Sequence, residues 1–198
     1  RFTFLATHVT TFTSCLHRTL FLLTNRIQKS IRSVCTLLTI TKGLTMSILT
    51  SNEILSATQS GKIDIRPFRT SQLNPNSYNL TLGKTLLVYD TTHSLDLQIE
   101  PKTIEIEIPP EGYVLQPNML YLGHTNELTY TNCYAPFIEG RSSIGRMGIS
   151  VHITAGFGDI GFNGTWTLEI TAVHPVRVYA NVEICQIAFH TVVGNAMV

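Results

Sequence analysis

The chain has no C-x-x-C pair, no acidic residue before position 46, and no apolar run long enough to cross a bilayer. Its four cysteines, Cys15, Cys35, Cys133 and Cys185, lie far apart. That scatter excludes a cysteine-rich zinc site and a disulfide framework, and reads as reduced thiols in an intracellular protein. The longest apolar run of the first 45 residues, Leu20 to Leu23, is too short for a membrane span, so no membrane partner is expected. Charged residues are also scarce, at 14% of the chain. An apolar fraction of 43% still supplies a proper core for one domain among 198 residues, which argues against disorder.

The near-neutral total hides two compositions. Residues 1–45 carry six bases, Arg1, Arg18, Arg26, Lys29, Arg32 and Lys42, and no acid. The remainder holds eight bases against thirteen acids, a net of −5, with no basic footprint for nucleic acid. The Thr/Ser-rich first segment has the look of an organellar targeting peptide. It also fits upstream sequence translated in frame, because Met46 stands directly before the first well-formed element and the segment has no consistent period. We read residues 1–45 as a non-core leader of one of these two kinds and residues 46–198 as the domain.

From Met46 onward one short helix precedes a series of strands. Thr50-Ser51-Asn52-Glu53 has the spacing of a capping box, Ile54, Leu55 and Ala57 follow, and Gly61 closes the segment. Tyr78, Leu80 and Leu82 then alternate with polar residues, and Ile104, Ile106 and Ile108 alternate with Glu105 and Glu107 before Pro109-Pro110. Further strands are predicted over 119–123, 166–170, 176–179 and 184–189. Many short strands separated by Pro, Gly and Asn predict a mainly β protein, a barrel or sandwich.

The chemistry concentrates between Glu139 and Glu169. Glu139-Gly140-Arg141-Ser142-Ser143-Ile144-Gly145-Arg146-Met147-Gly148 offers two arginine forks and two hydroxyls with little bulk, which suits an anion held on backbone N–H groups and guanidinium. His152-Ile153-Thr154-Ala155 follows, then Asp159-Ile160-Gly161-Phe162-Asn163-Gly164, then Trp166-Thr167-Leu168-Glu169-Ile170. In an extended strand Trp166, Leu168 and Ile170 face one way, and Thr167, Glu169 and Thr171 the other. This order of blocks, G-R-S-S-x-x-R-x-G, H-x-T-A, D-x-G-F-x-G and L-E, closely resembles the dCTP deaminase family of the dUTPase superfamily. Ser77-Tyr78-Asn79-Leu80-Thr81-Leu82-Gly83 and Ile184-Cys185-Gln186-Ile187 add to a resemblance that runs from about Met46 to Thr191.

The resemblance implies a dUTPase-like distorted β-barrel or jelly roll with a short N-terminal helix, assembled as a homotrimer in the cytoplasm. It implies that Glu169 is the acid/base of a hydrolytic deamination, in which water attacks C4 of the cytosine and ammonia leaves. Ser142 and the backbone at Ala155 would hold that water, and Arg146 would stabilise charge beside it. The segment from Arg141 through Ser142, Ser143, Ile144 and Gly145 to Arg146 would bind substrate, with Arg141 serving the phosphates or an intersubunit ion pair. Thr167 and Leu168 would line the pyrimidine through backbone groups. Asp159 would meet the deoxyribose 3′-hydroxyl, or only close its own turn; in the dUTPase branch the matching Asp also activates a water. Gln186 is a phosphate contact or a polar sheet residue. His152, without a partner at ligand spacing, reads as structural, and Thr154 as a regulatory position for dTTP inhibition.

The H-x-E and P-C-x-x-C signature of zinc deaminases is absent, and the resemblance implies metal-free chemistry, with Mg²⁺ entering only as the counter-ion of the triphosphate. Family members fold a C-terminal aromatic, Lys and Gln over the nucleotide, a pattern not found before Val198. The expectation is therefore dCTP deamination to dUTP and ammonia, with slower turnover where such a lid is lacking. Two enzymatic alternatives stay open, a bifunctional enzyme carrying dCTP to dUMP and a dUTP diphosphatase. A non-catalytic nucleotide-binding barrel is the third.

Overall fold

The computed structural model describes residues 47–194. The expectations about residues 1–45, including Cys15 and Cys35, lie outside the described residues, as does Met46. In chain order the fold runs α1 (Ser51–Gln59), β1 (Ile63–Arg66), a 3-10 turn (Thr70–Gln72), β2 (Leu73–Asn74), β3 (Ser77–Thr81), β4 (Thr85–Tyr89) and β5 (Thr103–Glu107). Then come β6 (Tyr113–Leu115), β7 (Tyr121–His124), β8 (Leu128–Thr131), β9 (Tyr134–Gly140), the one-turn helix α2 (Ser142–Gly145) and β10 (Ile149–Ser150). The chain continues through β11 (Asn163–Gly164), β12 (Thr167–Ala172), β13 (Val176–Val178) and β14 (Glu183–Thr191). This is the mainly β, dUTPase-like architecture expected.

Four antiparallel sheets enclose one core. Their strand orders are β1-β8-β11, β10-β12-β7-β4-β5, β13-β6 and β2-β3-β14-β9. Side chains from all four meet inside, among them Ile63, Tyr78, Leu80, Leu115, Tyr121, Leu168, Ile170, Ile187 and Phe189, each fully buried. Each such side chain contributes roughly 1.5–3 kcal/mol through removal from water. Ile54 and Ala57 of α1 reach the same core, and Leu49 N–H donates to the Phe189 carbonyl at 2.9 Å, tying the start of the described chain to β14.

Several local expectations are corrected. Thr50 occupies the N-cap of α1, yet its side chain makes no capping bond, so the box is present in spelling only. Gly61 does close the segment, at φ +73°, where any Cβ would be strained. The alternation in β3 is real, but its polar face is not solvated: Ser77, Asn79 and Thr81 are as buried as Tyr78 and Leu80, because β3 is flanked by β2 and β14 and covered by a polar network. In β5 the reverse holds. It is a sheet edge paired only with β4, and Ile104 is 56% exposed despite the alternating pattern. Cys185 is fully buried and Cys133 half-buried.

Candidate active site

The G-R-S-S-x-x-R block leaves β9 at Gly140 and winds at once into α2. Gly145 N–H donates to Arg141 O at 2.8 Å, and Arg146 N–H to Ser142 O at 3.1 Å. The amides of Ile144, Gly145 and Arg146 are thus consumed inside one helical turn. The Ser142 and Ser143 amides, at the head of the turn, lie outside these bonds. Ser142, Ser143 and Arg146 are exposed, and Gly148 at φ +78° turns the chain into β10.

Beside α2 lies a cleft of about 210 Å³ lined by Asn74, Asn79, Arg141, Ser142, Ser143 and Gln186. Its floor is rigid. Gln186 accepts from Ser77 Oγ at 2.8 Å and donates to the Gly140 carbonyl at 3.1 Å, so both ends of its amide are engaged within the sheet. Arg141 does form an ion pair, but within the chain: one terminal nitrogen lies 2.8 Å from Glu183 Oε2 and the other donates to the Glu183 carbonyl at 3.0 Å.

Glu169 stands on β12 opposite Leu122 of β7. The strand alternates as the sequence predicts, with Leu168 and Ile170 fully buried and Glu169 half-exposed on the other face. Its Oε2 accepts the Ile153 N–H at 2.7 Å, a short charge-assisted bond that fixes the carboxylate against the loop after β10. Thr154 and Ala155 follow on that loop, both exposed. Gly156 then passes so close to β9 that a Cβ there would meet the Ile138 carbonyl at 2.7 Å, and Phe157 stacks edge-on against Phe137. Asp159 is exposed and begins a turn closed by Phe162 N–H to its own carbonyl at 3.3 Å, with Gly161 at φ +92°. Thr167 is exposed, while the Leu168 side chain is committed to the core and leaves only its backbone for a ligand. His152 is a partly buried neighbour of this loop, its Nε2 3.6 Å from Glu139 and its Nδ1 without a partner.

The predicted residues form two clusters. One gathers Arg141, Ser142, Ser143 and Gln186 around the β3–β14–β9 sheet; the other gathers Glu169 of β12 with the 153–159 loop, which packs against β9 at Gly156 and Phe157. Among the described residues no hydrogen bond joins Glu169 to Ser142 or Arg146. The first cluster offers fixed donors to an anion. The second offers a carboxylate, held by one amide, beside backbone and side-chain groups open to solvent. Among the described residues no group of three or more His, Cys, Asp or Glu side chains could hold a metal.

Sequence reasoning missed Ile153, whose amide holds Glu169, and the supports of the cleft: Asn74, Ser77, Asn79 and Glu183. The S-Y-N-L-T-L-G block pointed near them without revealing what they touch. It also missed Glu127, fully buried and accepting from Thr81 N–H at 2.8 Å, Thr81 Oγ at 2.9 Å and Gln72 Nε2 at 2.9 Å. These bonds clamp the turn after β7 to β3, the strand that carries Asn79.

Residues 48–192 match the family model described as dCTP deaminase-like. A protein of Clostridium botulinum strain Alaska E43, named "dCTP deaminase, dUMP-forming", is 54% identical over 75% of this chain and 84% of its own length. One of the same name from Clostridium acetobutylicum is 57% identical over 67% of this chain and 76% of its own. Among solved structures, the 2′-deoxycytidine 5′-triphosphate deaminase of Agrobacterium tumefaciens superposes with a TM-score of 0.58 at 22% identity. That match covers 75% of this chain and 49% of that one, and supports the fold. The relatives' names overturn one expectation, that the reaction stops at dUTP: proteins this similar are named for forming dUMP. The chain belongs to the dCTP deaminase-like family.

Proposed function

We propose that the protein is a hydrolase that deaminates dCTP and carries the product on to dUMP. The observation that carries this reading is the 54% identity to dUMP-forming dCTP deaminases over 84% of their length. The reaction consumes two waters. The first adds to C4 of the cytosine, and the C4–N bond breaks to release ammonia. The second adds to the α-phosphorus, and the α–β bridging P–O bond breaks to release pyrophosphate.

Glu169 is the group we assign to proton transfer in the first step, taking a proton from the water and delivering it toward the ring and departing amine. The Ile153 amide supports that role by fixing the carboxylate without burying it. Ser142, Arg146 and the Ala155 backbone complete the surroundings of the water in this reading, and Asp159 meets the deoxyribose and serves the second water. Arg141 faces the phosphates, and Mg²⁺ accompanies the triphosphate as part of the substrate. Inhibition by dTTP through Thr154 belongs to the same reading: replacing Thr154 with Ala abolishes it, and unchanged inhibition removes the assignment.

The absence of any hydrogen bond from Glu169 to Ser142 or Arg146 among the described residues supports a site completed between copies, hence a homotrimer. We place the enzyme in the cytoplasm and take residues 46–198 as the catalytic unit. No helix of the described residues is long and apolar enough to cross a membrane.

Incubation with dCTP and Mg²⁺, with ammonia and pyrophosphate assayed separately, tests the function. Equal release of both is expected, with no accumulation of dUTP. Ammonia without pyrophosphate contradicts dUMP formation, and neither product contradicts catalysis.

A further inference from the structure

Glu183 opens β14 at an irregularity. The register to β3 slips between Glu183 and Cys185, so that Ile184 and Cys185 are both buried. A bulge of this kind re-aims a side chain. Here it leaves the Glu183 carboxylate beside the end of β9, where Cys185 pairs with Gly140 and the chain continues into Arg141. The result is a double hold on one guanidinium, carboxylate oxygen to one terminal nitrogen at 2.8 Å and backbone carbonyl to the other at 3.0 Å.

The carboxylate is itself held. Asn79, 4% exposed, donates to the same Oε2 at 2.9 Å, and its Oδ1 accepts from Asn74 Nδ2 at 2.6 Å. An ordinary surface ion pair has no such backing, and holding two long side chains together wins it little. This pair is about two-thirds covered, and a chain of amides fixes its acidic partner. Of the five N–H donors of a guanidinium, Glu183 occupies two and leaves three. Arg141, Asn74 and Asn79 all line the same cleft.

We propose that Glu183 is a positioning residue that fixes the Arg141 guanidinium at the cleft before a triphosphate arrives. A free arginine would lose much rotamer freedom on meeting phosphate; one already anchored loses less and presents its remaining donors in a set direction. Glu183 touches no reacting atom, and its own charge opposes a nearby phosphate. Its benefit is geometric. The inference rests on Arg141 serving the phosphates, and the test separates the two claims.

Steady-state kinetics on dCTP are measured for the full chain and for Arg141→Ala, Glu183→Asp, Glu183→Gln, Glu183→Ala and the double variant Arg141→Ala/Glu183→Ala. Glu183→Gln keeps the reach and the acceptor and loses the charge; it should stay within about threefold of the parent KM. Glu183→Asp keeps the charge and loses the reach; it should raise KM about tenfold, with kcat changed less than about threefold, as for lost binding alone. The Glu183→Ala effect should vanish on the Arg141→Ala background. An Asp variant near the parent with an impaired Gln variant overturns positioning, as does an Ala effect that persists without Arg141. If Arg141→Ala leaves KM unchanged, the phosphate role of Arg141 fails first. Should Glu183→Ala not fold, the Asp and Gln pair carries the test alone.

Discussion

The cleft at β3–β14 and the Glu169 loop on β12 are built on opposite plans. Around the cleft all lining side chains but Ser142 and Ser143 are tied within the chain: Ser77 to Gln186, Asn74 to Asn79, Asn79 to Glu183, Glu183 to Arg141. Around Glu169 one amide bond fixes the carboxylate, and Thr154, Ala155, Asp159 and Thr167 lie open. A rigid anion site lowers the cost of ordering flexible donors on binding. In the proposed reaction the open side would gain its remaining walls from substrate or a neighbouring copy. Under the proposed function, the triphosphate would be held by groups fixed within the chain, and the chemistry would depend on assembly.

The largest expected effect lies on the open side. Glu169→Gln should lower ammonia release on the order of 10²–10⁴-fold, the range for a lost general acid/base, with little change in thermal stability because the side chain is half-exposed. Full retained activity would contradict the mechanism. On the closed side the penalty is structural. Glu127→Ala removes the acceptor of the Thr81 N–H, the Thr81 hydroxyl and one Gln72 Nε2 hydrogen at a fully buried position, while Gln72 Nε2 keeps its bond to the Asn79 carbonyl. It should cost about 3 kcal/mol, read as a drop in the urea midpoint. A loss below about 1 kcal/mol would show that water replaces the carboxylate, and the closed plan would be wrong.

A smaller effect is read by pH. Burial, the largest cause, raises the Tyr78 phenol above its ordinary 10.0, and Tyr113 and Tyr134 are raised too, again chiefly by burial. Folded protein holds these protons more tightly than unfolded protein does. Their contribution is complete below pH 10, the unfolded value, and is lost as pH rises through the higher folded values. Thermal midpoints should therefore fall above about pH 10, and a flat profile would contradict it. Least costly of all, burial pushes the Cys185 thiol far upward, while Cys133 is half-buried. Peptide mapping after thiol alkylation of native protein near pH 8 should label Cys133 and leave Cys185 unmodified.

What the sequence made legible follows the local rules of strands. Leu168-Glu169-Ile170 alternates across β12 because one face meets the core, and that period is visible in three letters. The same rule misleads at β5, where Ile104 alternates but the strand is an edge with nothing to cover it. It also hides the polar face of β3, since burial of Asn79 depends on Glu183, 104 residues away. Glu127 follows Asn126 in what reads as a solvated turn, and only the fold brings Gln72 to it. Arg141 was legible as a donor, its anchor was not. The product was misjudged from pattern, and the names of similar relatives corrected it.

Mixing two inactive subunits tests the division between the clusters most directly. Glu169→Gln and Arg146→Ala chains are each purified, unfolded together in equal amounts and refolded, then assayed for ammonia release from dCTP. If each site takes Glu169 from one copy and Arg146 from the next, random mixing restores about a quarter of the parent activity, since one interface in four pairs two intact groups. Mixtures no more active than the separate variants would place both groups in one chain and contradict the account.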